Sequence, residues 1–460
     1  MKNTIGVIGL GYVGLPLACL CAKRGYKTFG YDTSQRAISY LSKGQSHIRD
    51  DEVERLLFEA QASENFFPTA DSQKLAECTL FLICVPTPVT HAKEPDIQPL
   101  VGAIKTIAPF IKKEDLIVVE STVFPGTCEE IVAPLIKDMT GFSCDGDVSL
   151  VHCPERVNPG DAFWTSENIP RVMGGMDELS AKRAAEFYSS ILGGPVIEVD
   201  KVRDYLRPKF SLDDDGELRV KHVPLGAVTL MRSIRDAEAV KAMENTIRDV
   251  NIAFVNELAK ISDVLNLDVV DIIDGMSTKP FGKGPYYPGA GVGGHCIAVD
   301  PEWLKAASSK AGYMPEMIQL AREINNGMPE YTVRLAQDAL NELGLPMRGA
   351  KIAVLGVAYK RNVDDPRESP FYDIRKILEE KGAILSVFDS WVASENTAPN
   401  LKEALRECVG VIFVTDHSDL LNDFAQIDLV NCGIKFIVDG RNAIEKTEVD
   451  AQINYLGIGR

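Results

Sequence analysis

Three features are missing or scarce in this sequence, and each absence excludes a class of protein. It has no tract of five or more basic residues, and 66 acidic side chains against 49 basic ones give a net charge of −17. That charge argues against a protein that binds nucleic acid or an anionic membrane surface. No apolar run reaches the roughly 18 residues of a membrane-spanning helix. The ten cysteines have no disulfide-like spacing, which suits a reducing, cytoplasmic location.

The length and composition are those of a globular chain with several domains. Its 460 residues, 45% apolar and 25% charged, correspond to about two to four domains. Near the N-terminus, Lys2 and the apolar stretch from Ile5 to Ala22 imitate a secretory signal peptide. Four glycines and Pro16 within that stretch favour a buried strand, a glycine turn and a helix instead.

Strand-like apolar runs alternate with helical segments in the first part of the chain, which predicts a parallel sheet with βαβ crossovers. These runs are Ile5–Ile8, Thr28–Tyr31, Leu80–Val85, Leu116–Glu120, Ser149–Cys153 and Val196–Val199. Residues 1–200 are therefore predicted to form a first α/β domain.

A long amphipathic helix is predicted from Ile234 to Asn266, a stretch without Pro or Gly. Its apolar residues recur at steps of three and four, the period of one helical stripe. They are Val240, Met243, Ile247, Val250, Phe254, Leu258, Ile261 and Leu265. The helix would be about 50 Å long, which indicates a connector or a dimer spine. It belongs to a helical middle region, 201–344, with an insertion at 201–233 and an irregular loop, Lys279–Cys296.

Residues 345–460 repeat the first domain in outline. Lys351–Tyr359 is predicted as a buried strand that ends at Gly356, and Ser369-Pro370 as the cap and first residue of a helix. Further strands are predicted at Ile384–Phe388, Gly410–Thr415 and Phe436–Val438. The predicted fold class is therefore α/β, with two doubly wound domains on either side of a long helix and a helical middle.

The segment Gly9-Leu10-Gly11-Tyr12-Val13-Gly14 has the GxGxxG pattern, directly after a strand and at the start of a helix. Such glycines allow a tight turn and let a pyrophosphate approach the helix N-terminus, although the pattern alone also fits an ordinary turn. Asp32 ends the next predicted strand, where a carboxylate can accept a hydrogen bond from a ribose. The combination predicts a dinucleotide site, and the acidic residue favours NAD over NADP.

Polar residues follow three further strands of the predicted sheet. Val85-Pro86-Thr87-Pro88 and Glu120-Ser121-Thr122 lie where ligands of open α/β sheets bind, so they could line the nicotinamide half or form ordinary capped turns. Glu155, in His152-Cys153-Pro154-Glu155-Arg156, could serve as a base. His152 and His295 have no second ligand at suitable spacing, and no metal is predicted.

The loop Pro288–Cys296 has four glycines in six positions, so its backbone must pass very close to something. If a helix starts at Cys296, the helix dipole would stabilise a thiolate there; a buried structural cysteine is the alternative. On the long helix, Lys241 and Asn245 are four residues apart and share a face, with Arg248 three residues further on. These side chains could hold an oxyanion or could simply be solvated.

Taken in order along the chain, these motifs resemble the UDP-glucose/GDP-mannose dehydrogenase family of nucleotide-sugar 6-dehydrogenases. The resemblance covers nearly the whole chain and continues through Lys360 and Arg367-Glu368-Ser369 to Asp439–Arg441. It implies two Rossmann-like domains joined by a long helix that forms the core of a homodimer. It also implies an NAD cofactor, a UDP-sugar substrate and a role in polysaccharide biosynthesis.

The resemblance further implies a four-electron reaction, in which the C6 hydroxyl of the sugar is oxidised twice, to a carboxylate, by two NAD⁺. Cys296 would attack the aldehyde to give a thiohemiacetal, which a second hydride transfer converts to a thioester. Lys241 and Asn245 would stabilise the charged oxygen. A covalent intermediate keeps the aldehyde bound between the two oxidations.

The same resemblance implies that Asp300 orients water or assists proton transfer, that Glu155 takes part in thioester hydrolysis, and that Thr122 positions water. The predicted cofactor-binding residues are Gly9, Gly11, Tyr12, Val13, Gly14, Asp32, Arg36, Val85, Pro86, Thr87, Ser121 and Thr122. The predicted substrate-binding residues are Glu155, Arg156, Val157, Lys241, Asn245, Arg248, Tyr287, Gly293, Lys360 and Arg441.

Three features resemble the branch of the family that uses UDP-N-acetylhexosamines: His295 before Cys296, the segment Pro154–Gly160, and the segment Met243–Asn251. Thr278–Pro288 resembles UDP-N-acetylglucosamine 6-dehydrogenases, whereas Ile297–Pro301 resembles UDP-N-acetylmannosamine dehydrogenases, so both sugars stay open. UDP-glucose oxidation and a one-step NAD-dependent hydroxyacid dehydrogenase are the alternatives. A non-catalytic sugar-nucleotide-binding regulator would be expected to lack Cys296, Lys241 or Asp300, which are all present.

The insertion 201–233 departs from the family pattern. Asp213-Asp214-Asp215-Gly216 predicts a turn between two short strands. The insertion could cover the active site, extend the dimer, or be a surface hairpin without a role.

Overall fold

The structure is a computed structural model that describes residues 3–90, 95–157, 163–206, 211–212, 218–219, 223–278, 285–294 and 297–460. The chain divides into two compact units, Met1–Glu244 and Asn245–Arg460.

Within those ranges, the strands are β1 (Ile5–Ile8), β2 (Thr28–Tyr31), β3 (Phe66–Thr69), β4 (Leu80–Ile83), β5 (Leu116–Val119), β6 (Ser149–His152), β7 (Arg171–Gly175), β8 (Val196–Glu198), β9 (Ser211–Leu212), β10 (Leu218–Arg219), β11 (Val228–Leu230), β12 (Lys351–Leu355), β13 (Ile384–Phe388), β14 (Gly410–Phe413), β15 (Phe436–Asp439) and β16 (Asn454–Gly457). The helices are α1 (Gly14–Lys23), α2 (Gln35–Leu41), α3 (Asp51–Ala62), α4 (Gln98–Ile107), α5 (Ala133–Thr140), α6 (Glu178–Leu192), α7 (Val199–Leu206), α8 (Ile234–Leu265), α9 (Val269–Ser277), α10 (Asp300–Lys310), α11 (Glu316–Asn326), α12 (Met328–Glu342), α13 (Pro370–Glu380), α14 (Leu401–Leu405) and α15 (Ser418–Phe424).

The first unit contains a nine-stranded sheet, in the order β3-β2-β1-β4-β5-β6-β7-β11-β8 among the described residues. The first six of these strands are parallel and follow the Rossmann order 3-2-1-4-5-6. β7 is antiparallel to β6, and β11 and β8 run parallel to β7. The predicted cofactor-binding and catalytic motifs follow β1, β2, β4, β5 and β6, and they consequently share one edge of this sheet.

Buried side chains of β1, β4 and β5 pack with α1, α3 and α6 in one apolar core. The N-terminal stretch that imitates a signal peptide forms β1 and α1, and Leu17 and Cys19 are buried in this core. The strand and helix reading of that stretch is therefore confirmed.

The second unit contains a five-stranded parallel sheet, in the order β13-β12-β14-β15-β16. α12 and α13 cover one face and α14 and α15 the other. As predicted, Ser369 caps α13, and its hydroxyl accepts a hydrogen bond from the N–H of Phe371. The predicted α/β class with two doubly wound sheets is confirmed.

The predicted strands of the two large sheets are all present, although five of the ten end one or two residues earlier than expected and β12 ends four residues before Tyr359. Four strands of the two large sheets were not predicted: β3, β7, β11 and β16. β11 lies inside the predicted insertion and pairs with β7 and β8, so the first sheet extends beyond the predicted boundary at residue 200. The predicted pair of short strands in the insertion is β9 and β10, and the turn residues 213–216 lie outside the described residues.

The predicted long helix is α8, 32 residues from Ile234 to Leu265, and it passes through the boundary of the two units. Its buried positions are mainly small or polar residues: Ala242, Asn245, Thr246, Asp249, Ala253, Asn256, Ala259 and Ser262. Much of the predicted apolar stripe is exposed, at Met243, Ile247, Phe254, Ile261 and Leu265. Within a single chain the stripe is thus not core.

Candidate active site

The three glycines after β1 have three different surroundings. Gly9 has a φ of +93°, and a Cβ there would lie 2.7 Å from the carbonyl oxygen of Cys84, at the end of β4. A Cβ at Gly14 would lie 1.8 Å from the carbonyl oxygen of Gly9, so α1 starts directly against the turn. No described atom lies within 4 Å of a Cβ placed at Gly11. Gly11 therefore leaves the space through which a pyrophosphate can approach the backbone.

The start of α1 is suited to an anion. Its N-cap residue, Val13, supplies no side-chain cap, and no acidic residue lies in the first turn. The helix dipole and its N–H groups are thus available to a phosphate at this end. The residues present therefore fit the diphosphate of a dinucleotide.

Asp32 follows β2 and lies beside this turn. Its Oδ2 accepts a hydrogen bond from the N–H of Leu10 (2.8 Å), and its Oδ1 accepts one from the N–H of Ser34 (2.8 Å). A carboxylate has about four acceptor positions, so Asp32 keeps capacity for ribose hydroxyls while the protein fixes its orientation. Arg36 is exposed in the first turn of α2, with its guanidinium 5.9 Å from the centre of the Tyr40 ring.

The other predicted cofactor residues lie at the same edge of the sheet. Val85 and Thr87 are half-buried, whereas Pro86 is exposed. The hydroxyl of Ser121, after β5, donates to the carbonyl oxygen of Val85 (2.7 Å), and Thr122 is half-buried beside it. This bond joins the ends of β4 and β5.

Glu155 is held in a buried ionic cluster that sheet register creates. β6 and β7 pair Val151 with Gly175, and continuing that register beyond the end of β6 places Glu155 opposite Arg171. Nη1 of Arg171 lies 2.8 Å from Oε2 of Glu155 and 3.0 Å from Oε2 of Glu120, which follows β5. The hydroxyl of Tyr188, on α6, donates to Oε1 of Glu120.

The surroundings shift the pKa values of the two carboxylates, Glu155 and Glu120, in opposite directions. Burial would raise the pKa of Glu155, but Arg171, the N–H groups of Val157 and Arg156, and the charge of Lys241 outweigh it and lower the pKa. Burial raises the pKa of Glu120 to about 7; the charge of Glu155 adds to this, and Arg171 and Tyr188 offset only part of it. Of the two carboxylates, Glu155 is therefore the one that ionises more readily in the resting protein.

Arg156 and Val157 contribute mainly through their backbone. Both N–H groups donate to Oε1 of Glu155. The guanidinium of Arg156 pairs with the carboxylate of Glu244 and donates to the carbonyl oxygen of Pro170 (3.1 Å). The side chain of Arg156 is thus already engaged by protein groups.

Lys241 and Asn245 are one turn apart on α8, as predicted. Lys241 is half-buried, and Arg248 is exposed. Nδ2 of the buried Asn245 donates to Oδ2 of the buried Asp300, at 2.5 Å. The structure thus brings together two residues that are 55 positions apart in the sequence.

The glycine-rich loop packs closely against other residues of the second unit. A Cβ at Gly293 would lie 2.7 Å from the carbonyl oxygen of Glu368, and one at Gly294 would lie 2.8 Å from the Tyr359 ring. Gly294 also has a φ of +87° and donates from its N–H to the carbonyl oxygen of Arg367 (3.1 Å). The glycines therefore let the loop pack against the turn that follows β12.

Cys296 lies outside the described residues. The helix that follows, α10, begins at Asp300 with Val299 as its N-cap. The conditional prediction of a helix start at Cys296 therefore lies outside the described residues, and the described helix begins four positions later.

Predicted substrate residues of the second unit lie at the carboxyl ends of its strands. Arg441 follows β15, and its guanidinium donates to the carbonyl oxygens of Val414 (2.8 Å) and Tyr359 (3.3 Å). Lys360, after β12, is half-buried. Tyr287 is exposed, and its hydroxyl donates to Oδ1 of Asp274 at 2.5 Å.

Sequence reasoning missed several residues that support these sites. Arg171 and Tyr188 hold the carboxylates of the first unit, and Glu238 on α8 accepts from the N–H groups of Gly126 and Cys128. Oδ1 of Asn256 accepts from the N–H of Gly289, in the glycine-rich loop (3.0 Å). The sequence contained one signal for this cluster: Arg171 is a cation at the start of the apolar run Arg171–Gly175, and a buried cation needs acidic partners.

Within the described part of the chain, no group of three or more His, Cys, Asp or Glu side chains is arranged to hold a metal ion. None of the described helices is long and apolar enough to cross a membrane.

The glycine turn, the ribose-acceptor carboxylate and the two doubly wound sheets define an NAD-dependent dehydrogenase of nucleotide sugars. Family models agree: residues 3–192 match the NAD binding domain, 235–327 the central domain and 353–446 the UDP binding domain of the UDP-glucose/GDP-mannose dehydrogenase family. The chain belongs to this family.

Individual relatives are similar over most of their length. The UDP-N-acetyl-D-mannosamine dehydrogenase of Pyrococcus horikoshii is 32% identical over 99% of both chains, and a solved structure of that enzyme has a TM-score of 0.86 over 99% of both. The UDP-N-acetyl-D-glucosamine 6-dehydrogenase of Salmonella typhi is 33% identical over 85% of this chain and 83% of its own.

Proposed function

We propose that this protein oxidises the C6 hydroxyl of a UDP-N-acetylhexosamine, with GlcNAc or ManNAc as the sugar, to the uronic acid. The observation that carries the proposal is Glu155, a carboxylate kept ionised at the edge of the sheet that carries the NAD fingerprint. A one-step dehydrogenase forms no acyl-enzyme and needs no base for its hydrolysis. A four-electron enzyme needs such a base for its last step.

The proposed reaction has four balanced steps. The alcohol loses a proton and a hydride to give the aldehyde, and the thiol of Cys296 adds to the aldehyde carbon to give a thiohemiacetal. Loss of the hydroxyl proton and of a second hydride from the thiohemiacetal gives a thioester. Water then adds to the acyl carbon and gives up one proton, and the C–S bond breaks to release the thiolate of Cys296 and a carboxylic acid, whose proton passes to the thiolate to leave the carboxylate. NAD⁺, when held by the glycine turn after β1, would supply the hydride acceptor for both oxidations, so that one sugar would yield two NADH.

Residues of the chain have separate roles in these steps. The ammonium of Lys241 and the amide of Asn245 stabilise the developing oxyanion, as charged and polar donors do best in a site without water. Asp300 fixes the amide of Asn245 through their 2.5 Å hydrogen bond, which leaves the second amide N–H for the substrate oxygen. Glu155 takes the proton from the hydrolytic water, and Thr122 positions that water.

The sugar is inferred from the relatives. Enzymes named for UDP-N-acetyl-D-mannosamine and for UDP-N-acetyl-D-glucosamine are about equally similar to this chain, at 32% and 33% identity. Both sugars are therefore kept. UDP-glucose oxidation and one-step oxidation remain the alternatives, and the uronic acid product suits polysaccharide biosynthesis.

We further propose that the UDP moiety binds at the carboxyl edge of the second sheet, near Lys360 and Arg441. In the first unit, five residues separate β1 from the start of α1, whereas 14 residues separate β12 from α13. A helix N-terminus thus does not follow the second turn directly. Cationic side chains, and not backbone N–H groups, are therefore proposed to bind the diphosphate.

A homodimer through α8 is also proposed. The exposed residues of α8 include Ile247, Phe254 and Ile261, which are spaced by seven, and the exposed fraction of Phe254 is 57%. Such a contiguous apolar stripe on one helix is typical of an interface. A second copy of the chain would cover it with an identical stripe. A cytoplasmic location is proposed as well, supported by nine described cysteines that are all free.

The test is the amount of NADH formed per sugar, with UDP-ManNAc, UDP-GlcNAc, UDP-glucose and GDP-mannose as substrates. Two NADH per UDP-N-acetylhexosamine are expected. One NADH per sugar would support a one-step dehydrogenase, and activity with UDP-glucose alone would refute the hexosamine assignment. Cys296→Ser should abolish uronate formation but keep NAD⁺ and substrate binding, whereas Cys432→Ser, a matched change of a half-buried free cysteine, should have no effect.

A further inference from the structure

Arg171 is a single buried cation that is shared by two carboxylates. Its exposed fraction is 1%, and that of Glu120 is also 1%. Glu155 and Glu120 contact the same nitrogen, Nη1, at 2.8 and 3.0 Å. A buried guanidinium without a counter-ion is strongly unfavourable, so at least one of the two carboxylates must be ionised at all times.

The neighbouring titratable groups of the first sheet are neutral, so only the two glutamates can supply the negative charge that Arg171 needs. Burial raises the pKa of the thiols of Cys21, Cys84 and Cys153, which are therefore neutral. Burial lowers the pKa of His152 to about 3, so it is neutral as well. Tyr188 contacts Glu120 as a neutral hydroxyl, since burial raises its pKa. From α8, the charge of Lys241 acts on Glu155.

Proton uptake by Glu155 would disturb the pairing with Arg171. Oε1 of Glu155 already accepts two backbone N–H groups and Oε2 accepts Arg171, so three of about four acceptor positions are used within the described contacts. The remaining position is on Oε2. A proton taken up there neutralises the carboxylate at the atom that pairs with Arg171.

We propose that Glu120 is a positioning residue that serves as the reserve counter-ion of Arg171, so that Glu155 can accept a proton during thioester hydrolysis. The inference rests on the proposed function. When water adds to the thioester, its O–H bond breaks, the proton goes to Oε2 of Glu155, and the C–S bond breaks to release the thiolate. Ionised Glu120 then neutralises Arg171 until Glu155 returns its proton to solvent.

Glu120→Gln is the first test, because the amide keeps the size of the side chain but cannot ionise. We expect the hydrolysis rate to fall about 10- to 100-fold, which is less than the roughly 100- to 10,000-fold loss for removal of a general base itself, because Glu155 is retained. The first hydride transfer and the KM values should be unchanged, and mass spectrometry of the intact, denatured protein should show the accumulated acyl-enzyme. Glu120→Asp, which keeps a carboxylate, should recover part of the rate.

The pH profile separates this role from a structural one. Ionisation of Glu120, with a pKa of about 7, should give an inflection near neutral pH in the hydrolysis rate, and Glu120→Gln should remove it. Tyr188→Phe removes a donor to the ionised form, which raises the pKa of Glu120, so the inflection should move to higher pH. Asp115→Asn is the matched control: burial raises its pKa to about 6, but it precedes β5 whereas Glu120 follows that strand.

The outcomes are distinct. One NADH per sugar from the wild-type enzyme refutes the proposed function and this inference with it. Two NADH from the wild type, together with wild-type hydrolysis and an unchanged inflection in both Glu120→Gln and Tyr188→Phe, refute the inference alone. The same pH shift in Asp115→Asn would also overturn it.

Discussion

At the scale of single residues, Asp32 and Asp389 follow equivalent strands of the two sheets but differ in how many hydrogen bonds their carboxylates already accept. Asp32 accepts two backbone N–H groups and is half-buried. Asp389, after β13, accepts the N–H groups of Val357, Ala358, Trp391 and Val392, and its Oδ2 lies 3.1 Å from Nε2 of His417. Burial opposes ionisation of Asp389, yet these donors lower its pKa. Asp389 therefore has no capacity left for a ribose, which supports a single dinucleotide site.

Asp32→Arg should weaken NAD⁺ binding about tenfold or more and favour NADP⁺, because it removes ribose hydrogen bonds and adds a partner for a 2′-phosphate. Calorimetric titration with both dinucleotides measures this. Asp71→Arg is the control, since the carboxylate of Asp71 also follows a strand but only caps a short helical turn. An unchanged preference for NAD⁺ would show that Asp32 does not contact the ribose.

Lys360→Ala should raise the KM of the UDP-sugar about tenfold, since a charged donor to phosphate contributes about 1.5 kcal/mol or more. The KM for NAD⁺ should stay the same. Lys360 is preferred over Arg441, whose substitution would also remove hydrogen bonds to two carbonyl groups. Lys402→Ala, on the exposed side of α14, is the control. Selective weakening of NAD⁺ would mean that the two domains are assigned in reverse.

At the scale of elements, α8 combines two opposite surfaces. Its buried face forms a polar network: Oδ1 of Asp249 accepts from Arg322 (2.7 Å) and Asn325 (2.8 Å), and Asn256 joins Asn325 to the glycine-rich loop. Buried polar groups need partners with defined geometry. The network therefore fixes both the rotation of α8 and the position of the loop before Cys296.

Asp263, near the end of α8, is predicted to oppose stability at neutral pH. Burial raises its pKa to about 6, against an ordinary value near 4 in the unfolded chain. Because the pKa is higher in the folded state than in the unfolded chain, ionisation of Asp263 lowers the free energy of unfolding. This loss of stability is absent below about pH 4 and complete above about pH 6. Asp263→Asn should therefore stabilise the protein by about 1 kcal/mol at pH 8, after a discount for partial exposure, and have little effect at pH 4.

Thermal unfolding at both pH values measures this difference. Asp271→Asn, at an exposed position on α9, is the control and should give no pH-dependent change. Equal stabilisation of Asp263→Asn at pH 4 and pH 8 would contradict the assignment.

At the scale of the whole molecule, the proposed homodimer depends on the exposed stripe of α8. Phe254→Glu should convert a dimer to a monomer of 50.4 kDa, because a buried unpaired carboxylate is costly in an apolar interface. Light scattering coupled to gel filtration measures the mass. Phe58→Glu is the matched control, since Phe58 is 74% exposed on α3, away from the stripe. A wild-type protein that is monomeric, or a Phe254→Glu variant that remains dimeric, would refute the proposed interface.

Periodicity in the sequence was sufficient to predict the strands and helices whose local sequence pattern is strong. Alternating strands and helices predicted both sheets, and 33 residues without Pro or Gly predicted α8 nearly to its ends. The missed strands β3, β7, β11 and β16 are short, three to five residues each, and acquire their conformation from neighbours in the sheet. Local patterns contain little information about such strands.

The sequence by itself determined the dinucleotide fingerprint and the order of the domains, because each of these depends on residues close together along the chain. Only the tertiary structure decided that Arg171 faces Glu120 and Glu155, since the parallel pairing of β5 with β6 and the antiparallel pairing of β6 with β7 bring together residues up to 51 positions apart. It also decided which side of α8 is buried. Periodicity identifies an apolar stripe but not what covers it, and in this chain polar and small residues occupy the core side while the stripe remains at the surface.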